Sequence, residues 1–175
     1  DDRASLRVEA AGWSGASDFA RGSAELRLVS SDRRHGPVLS GRLGVSKATA
    51  AAPYMLWPGA GSGFGRPVLA RAHPMLTDRR FNGSLFGRSL LHGGLEMVWW
   101  TGWGPLDLGA AAFSDLAVAG KRPEPFQGND AQVDVGVGIR IGLLGQHAAR
   151  LDVAHGLRDG AFALSAGMEV AVGSR

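Results

Sequence analysis

Arg71, Glu96 and Asp115 are the residues of this chain whose types and placing could act on one another. An arginine offers five donors in a rigid planar fork and can engage two carboxylates at once. Two carboxylates facing one enclosed space repel unless a cation joins them. Arg71 stands mid-loop, with Leu69 before it and Pro74 three residues on. The expectation is a clamp in which Arg71 bridges Glu96 and Asp115 on two neighbouring strands. Each charge-assisted bond in such a clamp would contribute about 1.5–3 kcal/mol. The same carboxylates could form a general acid–base pair, and Arg71 could be a solvated loop residue. The clamp is the reading taken forward.

Other candidate chemistry falls away on spacing. The run Gly59-Ala60-Gly61-Ser62-Gly63-Phe64-Gly65 has neither the G-K-[ST] ending of a phosphate loop nor the G-x-G-x-x-G order. It reads as a flexible loop. Ala163-Leu164-Ser165-Ala166-Gly167 lacks the first glycine of a nucleophile elbow and its strand–turn–helix setting. His35, His73, His92, His147 and His155 form no i,i+4 pair and meet no carboxylate at ligand spacing, and cysteine is absent. No metal, cofactor or enzymatic activity is expected. A net charge of +3 without a basic cluster argues against nucleic acid as a partner.

The elements that must position these residues repeat with a period of two. From Gln132 to Gly142, Val133, Val135, Val137, Ile139 and Ile141 alternate with Asp134, Gly136, Gly138, Arg140 and Gly142. Phe162, Leu164, Ala166, Met168 and Val170 alternate with Ala163, Ser165, Gly167 and Glu169 in the same way. Similar runs lie around Leu6 and Val8, Ala24 to Leu28, Leu39 to Val45, Gly94 to Trp99, Leu106 to Phe113, and Arg150 to Val153, with His155 past the end. These amount to about eight strands of roughly 8–11 residues, enough to cross a bilayer when tilted. Gly156-Leu157-Arg158-Asp159-Gly160 carries a hairpin signal, and Leu144-Gly145-Gln146 makes another tight turn. Ala48 to about Gly83 and Val118 to Asp130 are long connections. Short turns on one side and long loops on the other are the habit of membrane barrels.

Soluble antiparallel sandwiches also alternate. Two features favour a membrane barrel. Glycine and alanine crowd the non-apolar face, and its charges are of mixed sign. Trp13, Trp57, Trp99, Trp100 and Trp103 lie near strand ends. They read either as an interfacial aromatic girdle or as core. No stretch of about 18 apolar residues exists that could form a transmembrane helix. The opening Asp1-Asp2-Arg3 shows no signal peptide and is read as a mature or truncated start.

The stretch from Gly59 to Val170 resembles the C-terminal barrel of the bacterial surface antigen superfamily, which includes the BamA and TamA assembly factors and two-partner secretion transporters. Leu69-Ala70-Arg71-Ala72-His73-Pro74 is similar to the family's L/V-R-G-Y/F loop signature. Gly93-Gly94-Leu95-Glu96 is similar to the strand with an inward glutamate, and Phe113-Ser114-Asp115-Leu116-Ala117 to the F-x-D-x-G strand. The order continues into Gly136-Val137-Gly138-Ile139-Arg140 and Arg150-Leu151-Asp152. Ala72 and Ala117 stand where the family has glycine, His73 where it prefers an aromatic, and Val170 where its last strand ends on an aromatic.

The resemblance implies an all-β, antiparallel transmembrane barrel over residues 1–175, of which this chain is the C-terminal half. The loop over residues 49–83 would fold into its lumen. Arg71, Glu96 and Asp115 would form the clamp, supported by Leu69, His73, Pro74, Phe113 and Gly138. The implied place is the bacterial outer membrane. The implied work is assembly, insertion or translocation of unfolded outer-membrane or secreted clients, with the lipid bilayer as the other partner. Two further readings stay open: a barrel that anchors an upstream enzyme, and a small closed eight-stranded barrel with a structural or binding role. Open sheet edges are forbidden in lipid, so the natural protein is expected to carry further strands upstream.

Overall fold

The computed structural model describes residues 3–15, 18–30, 36–63, 68–77, 79–81, 84–103, 106–120, 131–143 and 146–168. His35, the Leu144-Gly145 turn and Val170 lie outside them, as do the side chains of Trp103 and His147.

Alternation becomes strand wherever it occurs. Eight strands form one antiparallel sheet: β1 (Arg3–Trp13), β2 (Phe19–Val29), β3 (Gly36–Ala48), β6 (Ser89–Trp103), β7 (Leu106–Gly120), β8 (Gln132–Leu143), β9 (Gln146–Gly156) and β10 (Phe162–Gly167). They pair in chain order. Between β3 and β6 the chain leaves the sheet. It makes a 3-10 turn at Tyr54–Leu56 and a small separate hairpin of β4 (Leu76–Thr77) and β5 (Arg80–Phe81). No described helix is long and apolar enough to cross a membrane.

Three sequence expectations are corrected. His155 does not fall past a strand end; it lies in β9, between Val135 of β8 and Phe162 of β10. The connection expected to start at Val118 starts after Gly120. Ala117, Val118 and Ala119 are all buried, and where both faces of a strand are covered the alternation that betrays it is lost. The tryptophans do not all lie near strand ends, nor do the described ones share one face. Among the described side chains, alternation puts only Trp99 on the apolar face. Trp100 lies on the opposite face, Trp57 is in the loop with its Nε1 donating to the Ala52 carbonyl at 2.8 Å, and Trp13 stacks on Phe19 at 4.8 Å at the β1–β2 end.

The register sorts residues into two faces. One cross-strand row runs Leu6, Leu26, Leu43, Gly93, Leu116, Val133. The adjacent polar row runs Ser5, Arg27, Arg42, Gly94, Asp115, Asp134. Burial is the reverse of that in a soluble sheet. Leu6 is 70% exposed, Val137 60% and Phe162 69%, whereas Asp115 is 1% exposed and Asp134 and Asp152 0%. Seven of the buried apolar residues, Ala60, Leu69, Ala70, Leu85, Leu90, Ala117 and Ala119, form a cluster where the loop lies against β6 and β7. The loop between β3 and β6 thus covers the polar face and leaves the apolar face bare.

Candidate functional site

The loop is first shaped by its own backbone. Ala60 N–H donates to Leu85 at 2.9 Å, Ser62 N–H to His73 at 3.0 Å and Met75 N–H to Ser62 at 2.8 Å. A Cβ on Gly61 would sit 2.8 Å from the Met75 nitrogen, so the glycine-rich run permits two loop segments to approach and needs no phosphate to explain it. Pro74 bridges to Ser62 and is exposed. Leu69 is buried in the apolar cluster under the loop.

This folding delivers Arg71 to the polar face, where it is 5% exposed. Its Nη2 lies 2.7 Å from Glu96 Oε2, its Nε 3.1 Å from Asp115 Oδ2, and its Nη1 3.4 Å from Asp152 Oδ2. The Nε–Asp115 approach is an ion pair without hydrogen-bond alignment, since both atoms lack a hydrogen-bond partner. The guanidinium lies 3.8 Å above the centre of the Phe113 ring, a cation–π stack in addition to its charges. The structure therefore brings Arg71, Glu96 and Asp115 together with Phe113.

It also joins residues that the sequence reading did not assign to the clamp. Arg140 Nε donates to Glu96 Oε1 at 3.0 Å and its Nη1 to Asp152 Oδ1 at 2.5 Å. Arg71, Glu96, Arg140 and Asp152 thus close a ring of alternating charge. Arg42 extends it: its Nη2 donates to Asp115 Oδ1 at 3.1 Å and lies 3.3 and 3.4 Å from the carbonyls of Val68 and Leu69. Arg150 Nη1 approaches Asp152 Oδ2 at 3.4 Å. The signals for these residues in the sequence were their inward parity and, for Arg140, Arg150 and Asp152, their place in the motif order.

Glycine on the strands makes the network possible. A Cβ on Gly138 would fall 2.1 Å from Asp152 Oδ1 and 2.7 Å from Arg140 Nη1. On Gly94 it would meet Arg42 Nε at 2.9 Å, and on Gly136 the Phe113 ring at 2.3 Å. Each glycine leaves a gap across which a long neighbour lies flat. Gly138 supports the site in this way.

A second contact holds the loop farther along. Ala72 N–H donates to Asp134 Oδ2 at 2.8 Å, and its methyl packs with Phe113 and Ala154. His73 is 2% exposed. Its Nε2 hydrogen-bonds Asp159 Oδ2 in the β9–β10 turn at 2.9 Å, and its Nδ1 lies 2.9 Å from Asp134 Oδ1 as an ion-pair contact without hydrogen-bond alignment. Both ring nitrogens can donate only in the imidazolium form. The Asp134 partner raises the His73 pKa above its ordinary value; burial opposes it, and Asp159 adds to the rise. Asp159 is itself held below the ordinary carboxylate range, first by the Ala161 N–H and also by His73.

The arrangement can hold a loop by charge. Among the described residues no group of three or more potential ligands could hold a metal ion. Compared with protein-family models, with characterised proteins and with solved structures, the chain matches none.

Proposed function

We propose that this chain is the C-terminal part of an outer-membrane β-barrel that assembles, inserts or translocates proteins, and that the Arg71 loop is its internal gate. The observation that carries the reading is the inversion of burial: apolar side chains on successive strands are exposed while the charged ones under the loop are enclosed. Water would penalise that outward face, whereas lipid would favour it. A buried ion-pair network contributes little net stability, because desolvation offsets attraction. What it supplies is registry, and a loop held by polar bonds can be released without exposing a large apolar surface. That suits a gate.

Among the described residues β1 pairs only with β2 and β10 only with β9. In lipid those edges need partners, so the reading requires strands beyond these eight. The protein expressed in a bacterium should fractionate with outer membrane and migrate differently on gels when unheated. Recovery of a folded, soluble monomer without detergent would overturn the membrane reading. Insertion of an unfolded outer-membrane client into liposomes carrying the protein tests the assembly role. Wild type should accelerate it, and Arg71→Lys, which keeps the charge but loses the fork, should not. Equal acceleration by both would remove the clamp from the mechanism.

A further inference from the structure

Beside the clamp the polar face holds a cavity of about 180 Å³, well above the roughly 10–15 Å³ that one water requires. Five arginines line it: Arg27, Arg42, Arg71, Arg140 and Arg150. Three carboxylates, Glu96, Asp115 and Asp152, pair with four of these arginines. Two positive charges are left over. Glu25, two residues along from Arg27 on the same face and 3.8 Å from His92, forms none of these pairs but attracts Arg42 and so offsets part of the excess.

The register sharpens the excess. Arg27 and Arg42 are direct cross-strand partners on β2 and β3, and Arg140 and Arg150 are direct partners on β8 and β9. Like charges directly opposite destabilise a sheet, yet both such pairs border this one cavity. Arg27 makes no hydrogen bond or ion pair among the described residues. Arg140 is 6% exposed, and its Nη2 is buried without a hydrogen-bond partner. A buried guanidinium N–H left unmet costs its full desolvation, so two opposed arginine pairs and an unmet donor together call for an acceptor that carries charge.

We propose that this cavity binds a single small oxyanion, of the phosphate or carboxylate class, between the Arg27–Arg42 and Arg140–Arg150 pairs. The fork geometry of arginine suits both anions. Glu96 also lines the cavity, and Val29, Val38, Val98 and Trp100 are among its other lining residues, which leaves room for a small apolar substituent on the anion. The proposal does not rest on the membrane reading, because the cavity is on the opposite side of the sheet from the apolar face.

The test uses the protein folded in an uncharged maltoside detergent. With arginine side chains isotopically labelled, inorganic phosphate should shift a subset of guanidinium resonances saturably, while chloride at equal ionic strength should not. Arg27→Gln, at an exposed site outside the clamp, should weaken phosphate at least tenfold and leave the fold intact. Arg150→Gln should weaken phosphate as well, and Arg3→Gln at the start of β1 should have no effect. A blocked acidic peptide added in competition separates the sources: displacement of phosphate assigns the site to carboxylates carried on polypeptide, and failure to displace assigns it to the free ion. Absence of saturable shifts, or equal affinity in wild type and Arg27→Gln, overturns the proposal.

Discussion

Strands β1 and β7 are written in the same alternating pattern and come to opposite ends. Every residue of β1 is exposed, including Leu6 and Val8 on one face and Arg7 and Glu9 on the other. Arg7 and Glu9 pair with each other at the surface. On β7 the apolar side stays exposed at Leu106, Leu108 and Leu116, but the polar side is sealed, with Asp115 and Phe113 buried under the loop. The contrast shows that the strand pattern does not set the electrostatic environment. The covering loop does. A charge under the loop is one member of a network; a charge beyond it is a solvated pair of little consequence.

The largest test of this difference is Arg71→Ala. It would remove the one cation that Glu96, Asp115 and Asp152 share, leaving them to Arg42, Arg140 and Arg150 alone. Removing one partner from a buried ionic cluster destabilises by about 3–5 kcal/mol. Urea unfolding of the protein in lipid should show that loss, with early proteolytic cleavage in the loop. Arg7→Ala on β1 should leave the transition unchanged. Equal responses would mean that the loop does not govern the two regions.

Leu6→Arg on β1 and Val137→Arg on β8, directly across from Ala112 of β7, test the apolar face that runs through both regions. If both outward faces meet lipid, a charge at midplane depth should destabilise by about 2–4 kcal/mol, and by less nearer the interfaces. Measured in liposomes, both variants should lose stability; in a soluble protein neither would lose much, since both positions are already exposed. A loss at Val137 alone would place β1 outside the membrane-facing part of the sheet.

Gly138→Ala and Gly12→Ala form a smaller contrast. The added methyl at Gly138 collides with Asp152 and Arg140, while at Gly12 it meets nothing within 4 Å. Overpacking of this kind costs about 1–3 kcal/mol, so the first variant should unfold at lower urea and the second should match wild type.

The strands were legible because a period of two is local: each pair of residues declares its faces without reference to anything distant. The meeting of Arg71 with Glu96 and Asp115 was legible only as a motif order and a charge argument. Arg42, Arg140 and Asp152 were visible as inward charges, but which cation meets which anion depends on cross-strand register and on the path of a loop. Neither is written locally. The tryptophans stayed open between girdle and core because an indole suits both, and strand parity separates only the face of Trp99 from that of Trp100. The end of β7 was missed because a strand buried on both faces does not alternate. His73 stood in the loop motif as a departure, with no sign that its two partners would come from β8 and from the β9–β10 turn.

His73 gives the smallest and most conditional of the expected effects. Its folded pKa is raised, so the stability it lends to the loop is fully present below the ordinary histidine value of 6.5 and is lost as pH rises through the folded value. Asp159 acts in the opposite direction. Its folded pKa is lowered, so its contribution is present above the ordinary 3.8 and is lost as pH falls through the folded value. The latch between loop and turn should therefore be tightest between those two ordinary values and should loosen on the alkaline side, where the neutral ring can donate to only one carboxylate. Asp159 is 46% exposed in its side chain, so solvent screens its share and the change is modest. Proteolytic cleavage in the loop should quicken several-fold between pH 5.5 and about 8.5, a window that spans the histidine range. His73→Gln should cleave rapidly and without pH dependence across that window, while Arg7→Ala should follow wild type. A wild-type loop equally protected at both pH values would show that Asp134 and Asp159 hold His73 no better charged than neutral, and the Arg71 network alone would then anchor the loop.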